Sequence, residues 1–579
     1  MANVIRRVLF LISLISASVG LPARAAIFYV SVNGTNPVPP YADWGTASTD
    51  VQSAIDVASD GDLVLVTNGI YGTGGRVVYG SLTNRVAINK AVTLQSVNGP
   101  AVTEISGNLL AAGSTNYAND VRGVYMTNNA ILDGFTVANG SAFVGYATDL
   151  SVQAGGGVYC ESTNAVLTNC ILLGNVCYGG GGGGIYKGIL FNCVLTNNQC
   201  SGYAVPGGAA SMSVLINCMI ISNSATFGGG AAKSTLDHCS VMQNIAPYLG
   251  SSSFGGGTYL CTATHCLIAG NLSTGVGGGD YDGILTDCIL SNNLCLFPNG
   301  GTNGSGGGSC QVPPNSSYTP KLVNCLIVSN CSSGCGGGVA CSRNGAWPVV
   351  ANCTIIGNTA SNQGGGVYGG TVTNSIIYAN ANNFMPSAAN YFLTSVTDCW
   401  TNDPGFVNPG AGDYHLASNS PCINSGNNAF VSAADDLDGN LRIAGGTVDL
   451  GCYEYQSPTS VISYAWLEQY GLPTNGSVDY ADSDGTGMNN WQKWIAGLNP
   501  TNPVSMLLME SPSASNSTPG ITVTWQSVST RTYYLQRTPD LTVPFSAIQS
   551  NLIGRAGFTS FIDQSATNAG PYFYRVGVQ

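Results

Sequence analysis

Two histidines and an aspartate occupy one equivalent place in three successive repeats of this sequence. His238, His265 and Asp287 each directly precede a cysteine, where the other six copies of the repeat carry asparagine. If the repeats stack in register, the three side chains form one line, with Asp237 beside the first of them. Imidazole and carboxylate groups in such a line can bind a metal ion or transfer protons.

Two further acidic residues could belong to the same site, and the line itself also has a structural interpretation. Asp280 and Asp282, in the segment GGGDYDG, begin the third of these repeats and could approach the same line. Together with His238, His265 and Asp287 they make up the candidate catalytic set. The alternative is that the three line residues replace asparagine as hydrogen-bonding members of a side-chain ladder. The sequence leaves both interpretations open.

The repeat that carries these residues recurs nine times between residues 167 and 380. Each copy resembles LTNCILLGN at 167–175, with an asparagine five residues after the cysteine place and a glycine cluster such as GGGVYC ahead of it. The short apolar runs have no helical period and the glycines disfavour helix, so each copy predicts short strands. A spacing of about 20 to 40 residues is typical of a solenoid whose units bury their apolar faces against one another.

Parallel strands in register, about 4.8 Å apart, would align equivalent residues into columns along the solenoid. Asparagine, cysteine and aliphatic columns are predicted to line the interior, where stacked amides bond side chain to side chain. The predicted asparagine ladder consists of Asn175, Asn198, Asn223, Asn244, Asn271, Asn293, Asn330, Asn358 and Asn380.

Composition restricts the partners and the compartment. The 579 residues include 17 basic and 29 acidic ones, and the net charge of −12 disfavours nucleic acid as a partner. Residues 1–25 have a charged start, an apolar core and a small-residue cleavage site, which predict a secretory signal peptide. Beyond it, no apolar run is long enough for a transmembrane segment. We expect a monomer that is secreted or held at the cell surface.

The chain has twenty cysteines, which in an exported protein raises the question of disulfides. Cysteines of one column point the same way, so buried free thiols are expected there. Cys331 with Cys335, and Cys422 with Cys452, are off the column and are better disulfide candidates. A metal site at Cys331 and Cys335 is the weaker alternative, because no second cysteine pair or nearby histidine completes it.

Pattern divides the chain into four regions. The signal peptide at 1–25 precedes a predicted β-helix at 26–456, in which STDVQSAIDVASDGD forms a helix over the open end and residues from 381 onward close the stack. Residues 457–505 are predicted to form a linker module, and the alternating strands at 506–579 a small β-sandwich. That last region is too short for a membrane barrel of the autotransporter type.

The linker module contains an acidic turn, DSDGTGMNN, with the spacing of a Ca²⁺-binding loop. Its ligand places are filled by Asp482, Asp484, Thr486, the carbonyl of Met488, and Asn490. The twelfth position, where a bidentate glutamate belongs, is Lys493. Ca²⁺ is the one cofactor that the sequence suggests, and a cation-free structural turn is the alternative.

Several stretches carry a resemblance to known proteins. FYVSVNGT, DVQSAIDVASDGDLVLVTNGIYG and DGFTVANG, followed by the GGGVY and Asn-Cys repeats, resemble exported proteins of the pectate-lyase-like superfamily. The repeats also resemble those of polymorphic outer membrane proteins, and SPCINSGNN with VDLGCYEY resembles the closing segment of choice-of-anchor surface proteins. The resemblance implies an all-β fold: a right-handed parallel β-helix with an N-terminal capping helix and a small C-terminal β-sandwich.

This superfamily includes lyases, hydrolases, epimerases and adhesins. Its lyases use acidic Ca²⁺ ligands with a lysine or arginine base, and its hydrolases use clustered aspartates. Residues 151–380 contain only four basic and five acidic residues, and neither set is recognisable there. The sequence therefore favours a surface protein that binds polysaccharide or another cell-surface component without recognisable catalytic machinery. The alternative is a polysaccharide lyase or glycoside hydrolase acting on a uronic-acid-rich glycan in a groove of the β-helix.

Overall fold

The structure is a computed structural model that describes most of the chain from residue 25 onward. The described ranges are 25–109, 120–143, 149–202, 205–247, 253–296, 305–311, 321–341, 349–384, 386–514, 520–567 and 570–579. The predicted signal peptide lies almost wholly outside these ranges. Within them, no helix has the length and apolar character needed to cross a membrane.

The chain winds into a coil walled by three long sheets. In the first sheet, Leu167 pairs with Leu132 of the preceding turn and with Leu190 of the following turn. In the second sheet, Leu172 pairs in the same way with Val137 and Leu195. Successive turns add strands to these sheets in parallel and in register, except that Arg76–Val77 at the start of the third sheet pairs antiparallel with Thr83–Ile88. The predicted all-β, right-handed parallel β-helix is confirmed.

Most strands of the described residues belong to the three long sheets. In sheet order, the first consists of Ile27–Val30, Leu63–Val66, Thr93–Ser96, Ile131–Asp133, Val166–Thr168, Ile189–Phe191, Val214–Ile216, Thr235–Asp237, Thr262–Thr264, Ile284–Thr286, Lys321–Val323, Val349–Ala351, Thr371–Thr373 and Ser395–Thr397. The second consists of Gly69–Tyr71, Thr103–Ser106, Thr136–Ala138, Ile171–Leu173, Val194–Thr196, Met219–Ile221, Ser240–Met242, Leu267–Ala269, Ile289–Ser291, Leu326–Val328, Thr354–Ile356 and Ile376–Tyr378. The third consists of Arg76–Val77, Thr83–Ile88, Val121–Met126, Val158–Cys160, Ile185–Tyr186, Ala210–Ser211, Ala231–Ala232, Thr258–Tyr259, Asp280–Tyr281, Ser309–Gln311, Val339–Cys341, Val367–Tyr368 and Tyr391–Phe392.

Shorter elements complete the described chain. Two short parallel sheets consist of Ser141–Ala142, Val176–Tyr178 and Gln199–Ser201, and of Ile245–Ala246, Leu272–Ser273, Leu294–Cys295, Cys331–Ser332, Thr359–Ala360 and Ala381–Asn382. The α-helices are Val51–Val57, Leu150–Gln153, Tyr464–Gln469 and Asn490–Ala496, and the 3-10 helices are Pro386–Ala388, Pro409–Ala411 and Asn428–Phe430.

The first helix lies against the beginning of the coil. It begins after Asp50, whose side chain accepts a hydrogen bond from the Ser53 amide and so satisfies one of the free N–H groups of the first turn. Val51, Ala54 and Ile55 are buried on its inner face and belong to the same apolar cluster as the interior of the coil. The helix therefore covers apolar side chains of the first strands.

A buried asparagine in each turn bonds to the asparagine of the next. Nδ2 of Asn244 donates to Oδ1 of Asn271 at 3.0 Å and to a main-chain carbonyl of the preceding turn at 2.9 Å. Oδ1 of Asn244 accepts hydrogen bonds from both the main-chain N–H and Nδ2 of Asn223. The same pattern runs from Asn175 to Asn380. These amides satisfy main-chain groups at the bend that follows the second sheet.

The glycine cluster ahead of each repeat makes room for this ladder. A Cβ atom on Gly257 would lie 3.0 Å from Nδ2 of Asn271 and 2.6 Å from the carbonyl oxygen of Gly279. A Cβ atom on Gly230 would lie 3.1 Å from the amide carbon of Asn244. Glycine is needed here because the third sheet passes directly beside the buried amides.

The cysteine column provides hydrogen-bond acceptors for main-chain N–H groups at the bend between the first and second sheets. The main-chain N–H of Cys239 points at Sγ of Cys266 at 3.4 Å, and that of Cys353 donates to Oγ of Ser375 at 3.0 Å. A small side chain with a lone pair is therefore suited to this column. Serine can take the same place, as it does in the ninth repeat.

No disulfide joins the cysteines of the described residues, and this includes the two pairs considered for disulfides. Cys331 is exposed whereas Cys335 is buried. Cys422 packs in one apolar cluster and Cys452 in another, so the two side chains are directed to different parts of the structure. Neither predicted disulfide is formed.

The parallel sheets continue for one turn beyond the nine repeats. Strand Ser395–Thr397 is followed by Asp398 and Cys399, which occupy the two central places of the repeat. Residues 402–456, which we name the returning segment, then run back along the outside of the coil. Leu437 and Tyr453 of this segment pack with residues on the outer face of the second sheet.

The returning segment begins with the antiparallel hairpin Phe406–Asn408 and Asp413–Leu416. It also holds a buried ion pair, with Nη1 of Arg442 2.9 Å from Oε2 of Glu454. Further along the chain, two three-stranded antiparallel sheets have the orders Ser513–Ala514, Ile521–Ser527, Gly557–Asp563 and Ser546–Ile553, Thr532–Thr538, Phe573–Val578. Trp525 of one sheet and Tyr533 of the other belong to a single buried cluster.

We expect that Asn244→Ala lowers the free energy of unfolding by at least about 3 kcal/mol, because it leaves several buried groups of neighbouring turns without partners. Urea unfolding followed by circular dichroism measures this. The control is Asn402→Ala at an exposed position, with an expected change within about 0.5 kcal/mol. Equal effects of the two substitutions would contradict the role of the ladder.

Candidate functional site

The residue between the first and second long sheets has a left-handed backbone in turn after turn. Its φ angle lies between 48° and 54°. Asparagine, aspartate and histidine are the side-chain-bearing residues most often found in this conformation, which explains why these three types share the position. We name it the corner column; it consists of Asn169, Asn192, Asn217, His238, His265, Asp287, Asn324, Asn352, Asn374 and Asp398.

Asp237 and the two histidines form a compact cluster on the outer surface of the coil. Nδ1 of His238 lies 2.9 Å from Oδ1 of Asp237, and Nδ1 of His265 lies 3.6 Å from the same oxygen. The two imidazole rings stack with centroids 4.6 Å apart. Oγ1 of Thr264 donates a hydrogen bond to Oδ1 of Asp237 at 3.0 Å. The His238 and His265 side chains are 62% and 45% exposed, so both are open to solvent.

Asp287 lies on the other side of His265. Its Oδ2 is 3.7 Å from Nε2 of His265, and its Oδ1 accepts a hydrogen bond from Nδ2 of Asn324 at 3.1 Å. The Asp287 side chain is only 11% exposed. Burial raises its pKa, while the bond from Asn324 acts in the opposite direction. The structure therefore brings His238, His265 and Asp287 into one line, with Asp237 beside both imidazoles.

Asp280 does not approach this line. It lies in the third long sheet, in register with Thr258 and Ser309, and is fully buried. Its carboxylate accepts hydrogen bonds from the hydroxyls of Thr258 and Ser309 and from the amide of Gln311. Burial raises its pKa to about 6. Asp282, at the left-handed bend after the same strand, is also buried. Both acids belong to a different wall of the coil from the two histidines.

The acidic turn of the linker module is closed by the side-chain ammonium of Lys493. Oδ1 of Asp482 accepts hydrogen bonds from the amides of Gly485 and Thr486, and the Thr486 hydroxyl donates to Asp484 at 2.8 Å. The buried ammonium of Lys493 forms an ion pair with Asp484. These contacts fit a turn closed by a lysine rather than a loop with free oxygen ligands for Ca²⁺.

The other predicted ligands of this turn are Asn490 and the carbonyl of Met488. Asn490 is buried at the start of helix Asn490–Ala496, and its Nδ2 donates to the carbonyl of Val478 at 2.9 Å and to Ser483 at 2.8 Å. Met488 lies two residues before that helix and is half-buried. Asn490 therefore anchors the helix to the preceding turn.

A second imidazole and carboxylate arrangement was missed by sequence reasoning. Nδ1 of His415 lies 2.6 Å from Asp413, and its Nε2 lies 2.6 Å from Asp438. Burial lowers the pKa of His415, but the bonds to Asp438 and Asp413 outweigh burial, so that the pKa is raised. The i, i+2 spacing of Asp413 and His415 on one strand could have indicated their contact. Asp438 comes from a different turn of the returning segment.

No known protein family matches this sequence, and no curated protein matches it. Solved structures with a similar fold include pectate lyase Pel9A, at 14% identity over 74% of this chain and 96% of that one, with a TM-score of 0.34. A rhamnogalacturonan lyase has 12% identity over 66% of this chain and 91% of its own, with a TM-score of 0.27. A polygalacturonase from Erwinia carotovora ssp. carotovora has 12% identity over 67% and 97%, with a TM-score of 0.24.

The fold and the site together define a class of protein. It is a parallel β-helix whose interior is lined by an asparagine ladder. On its surface, a line of two imidazoles and two carboxylates interrupts a column of asparagines.

Asp280→Asn is expected to remove a pH dependence of stability. The folded-state pKa of Asp280 is raised from 3.8 to about 6, so its stabilising contribution is present below pH 4 and is lost as the pH rises through 6. The variant should match the wild type near pH 4 and exceed it by about 2 to 3 kcal/mol at pH 7. Urea unfolding across this range measures the difference. The exposed Asp60→Asn variant is the control, and a constant difference at all pH values would refute the assignment.

Lys493→Met is expected to destabilise the protein by about 3 kcal/mol or more, because it leaves the Asp484 carboxylate without its cation. Thermal unfolding measures the loss. The double variant Asp484→Asn with Lys493→Met should recover most of it, since no charge is then left unpaired. If millimolar CaCl₂ raises the Tm of the wild type, the turn is a Ca²⁺ loop after all.

Proposed function

We propose that this protein is an exported or cell-surface β-helix that binds an extended polysaccharide along the corner column. The binding surface is the open part of that column, from Asn169 to Asp287. Polysaccharide binding here needs no catalytic machinery.

The observation that carries this proposal is the contact between the corner column and the returning segment in the later turns of the coil. The returning segment lies over the corner column in those turns, and each corner asparagine donates a hydrogen bond to one of its main-chain carbonyls. Asn324 donates to the carbonyl of Asp435 at 2.7 Å, and Asn374 to that of Asn427 at 2.8 Å. The amide of Asn427 donates in return to Oδ1 of Asn374 at 2.9 Å. Corner asparagines thus hold a polar main-chain segment along the axis of the coil.

The open part of the column offers the same groups to an outside polymer. Asn169, Asn192 and Asn217 are exposed, and Nδ2 of Asn217 donates to Oδ1 of Asn192 at 2.7 Å. Nδ2 of Asn169 donates to Oδ1 of Asp133 at 2.9 Å. Each of these bonds uses only one of the two hydrogens of its Nδ2, so every one of the three amides keeps hydrogen-bonding capacity for an outside ligand. Successive turns repeat at about 4.8 Å, so the donors and acceptors are evenly spaced along the surface.

Apolar side chains flank the amides on both sides. Phe191 and Ile216 are half-buried on the first sheet, and Met219 is exposed on the second. A sugar ring has hydroxyls at its edge and C–H groups on its faces, so a line of amides beside an aromatic ring suits it. The net charge of −12 favours a neutral polysaccharide over a polyanionic one.

We expect that Asn192→Gly combined with Asn217→Gly weakens binding to the recognised polysaccharide by about tenfold or more, because two amides are lost. Glycine accepts the left-handed backbone, so the fold is retained. A glycan array followed by calorimetry with the best ligand measures the affinity.

The matched control is Asn197→Gly, an exposed left-handed asparagine at the bend on the other side of the second sheet. Unchanged affinity in the double variant, or no bound glycan at all, would refute the proposal. The same protein is incubated with pectin and alginate while absorbance at 235 nm and reducing ends are followed. Product formation that disappears in His265→Asn would favour the lyase or hydrolase alternative.

A further inference from the structure

One carboxylate oxygen on the surface faces two imidazole nitrogens. Oδ1 of Asp237 lies 2.9 Å from Nδ1 of His238 and 3.6 Å from Nδ1 of His265. Among the described residues these three form a group whose ligand atoms all lie within 4.8 Å of one another. Polysaccharide binding by asparagines gives no reason for this convergence.

We propose that Asp237, His238 and His265 bind one divalent transition-metal ion of the Zn²⁺ type, with a fourth coordination position open to solvent. This proposal does not depend on polysaccharide binding. It assigns the three residues a joint role that the hydrogen-bonding column by itself does not require.

The distances suit such an ion. A tetrahedral site with metal to ligand distances of about 2.1 Å has about 3.4 Å between neighbouring ligand atoms. The two observed separations, 2.9 and 3.6 Å, bracket that value. The imidazole rings are stacked at an interplanar angle of 18° and are largely exposed, so each can tilt toward a common ion.

Carboxylates lie on both sides of the His265 ring. Nε2 of His265 faces Oδ2 of Asp287 at 3.7 Å, so a hydrogen on Nε2 points at a carboxylate. In that tautomer Nδ1 carries a lone pair on the side of the Asp237 carboxylate, so a cation placed between them is bound by both groups. A carboxylate that orients a histidine in this way is a frequent outer partner of metal-bound imidazole. Asp287 is therefore a positioning residue.

The donor set selects the kind of ion. Two imidazole nitrogens and one carboxylate oxygen suit Zn²⁺ and similar ions, whereas Ca²⁺ and Mg²⁺ prefer oxygen ligands alone. Three protein ligands with one open position are typical of zinc sites that bind a further molecule.

The third histidine of the chain provides an internal contrast. Both nitrogens of His415 are bonded to carboxylates, Asp413 at Nδ1 and Asp438 at Nε2. Because the two nitrogens point in different directions, these carboxylates cannot converge on one ion with the imidazole. His415 is therefore a suitable control for the loss of an imidazole.

Titration of the purified full chain with ZnCl₂ by calorimetry tests the proposal. We expect one ion per chain, and a loss of affinity of more than about 100-fold in His238→Asn and in His265→Asn. Asparagine is the residue that other turns carry at this bend, so both variants should retain the fold. Asp287→Asn should weaken binding by about 10- to 100-fold.

His415→Asn and Cys331→Ser are the controls, the second because Cys331 is an exposed thiol. Both should bind Zn²⁺ as the wild type does. No saturable binding would mean that the cluster is held by protons alone and would overturn the proposal. Equal binding by the wild type and the two histidine variants, or loss of binding in Cys331→Ser, would overturn it as well. None of these measurements involves a glycan, so the outcome is independent of the function proposed above.

Discussion

The structure depends on satisfying main-chain hydrogen-bonding groups where the wall of a narrow coil bends. Strand pairing serves the flat walls but not the corners, and an unpaired buried N–H or C=O is costly. The asparagine ladder supplies the missing partners at one bend, and the cysteine column does so at another. The glycine clusters follow from the close approach of successive turns, because a Cβ atom on Gly257 would lie 2.6 Å from the carbonyl oxygen of Gly279 and 3.0 Å from the ladder amide of Asn271. Repeated asparagine and cysteine thus meet one requirement, and repeated glycine leaves room for the turns that impose it.

The same geometry produces the candidate site. The corner between the first and second sheets needs a left-handed residue, which restricts it mainly to asparagine, aspartate, histidine and glycine. Aspartate and histidine are also residues that bind metals and move protons. Substitution at this corner therefore changes surface chemistry with little effect on the fold, and successive turns place the new groups side by side. His238, His265 and Asp287 occupy this corner in three successive turns and therefore lie side by side.

The returning segment divides the corner column into a covered and an open part. Over the later turns it accepts hydrogen bonds from the corner asparagines and buries the outer face of the second sheet. Asp287 is at the boundary, since Asn324 bonds both to its carboxylate and to the carbonyl of Asp435. This explains why Asp287 is the least exposed member of the line.

The sequence by itself determined the parallel β-helix and the order of its columns. Register makes equivalence in the repeat the same as adjacency in space, so the asparagine ladder and the neighbours His238, His265 and Asp287 could be predicted by counting residues. Counting could not place Asp280 in the interior, because the third sheet follows the glycine clusters, where the repeat is irregular. Only the tertiary structure brought Lys493 to Asp484, Asp438 to His415 and the returning segment over the corner column. Those contacts join segments that do not repeat, so no period in the sequence encodes them, and they are decided by how the finished surfaces pack.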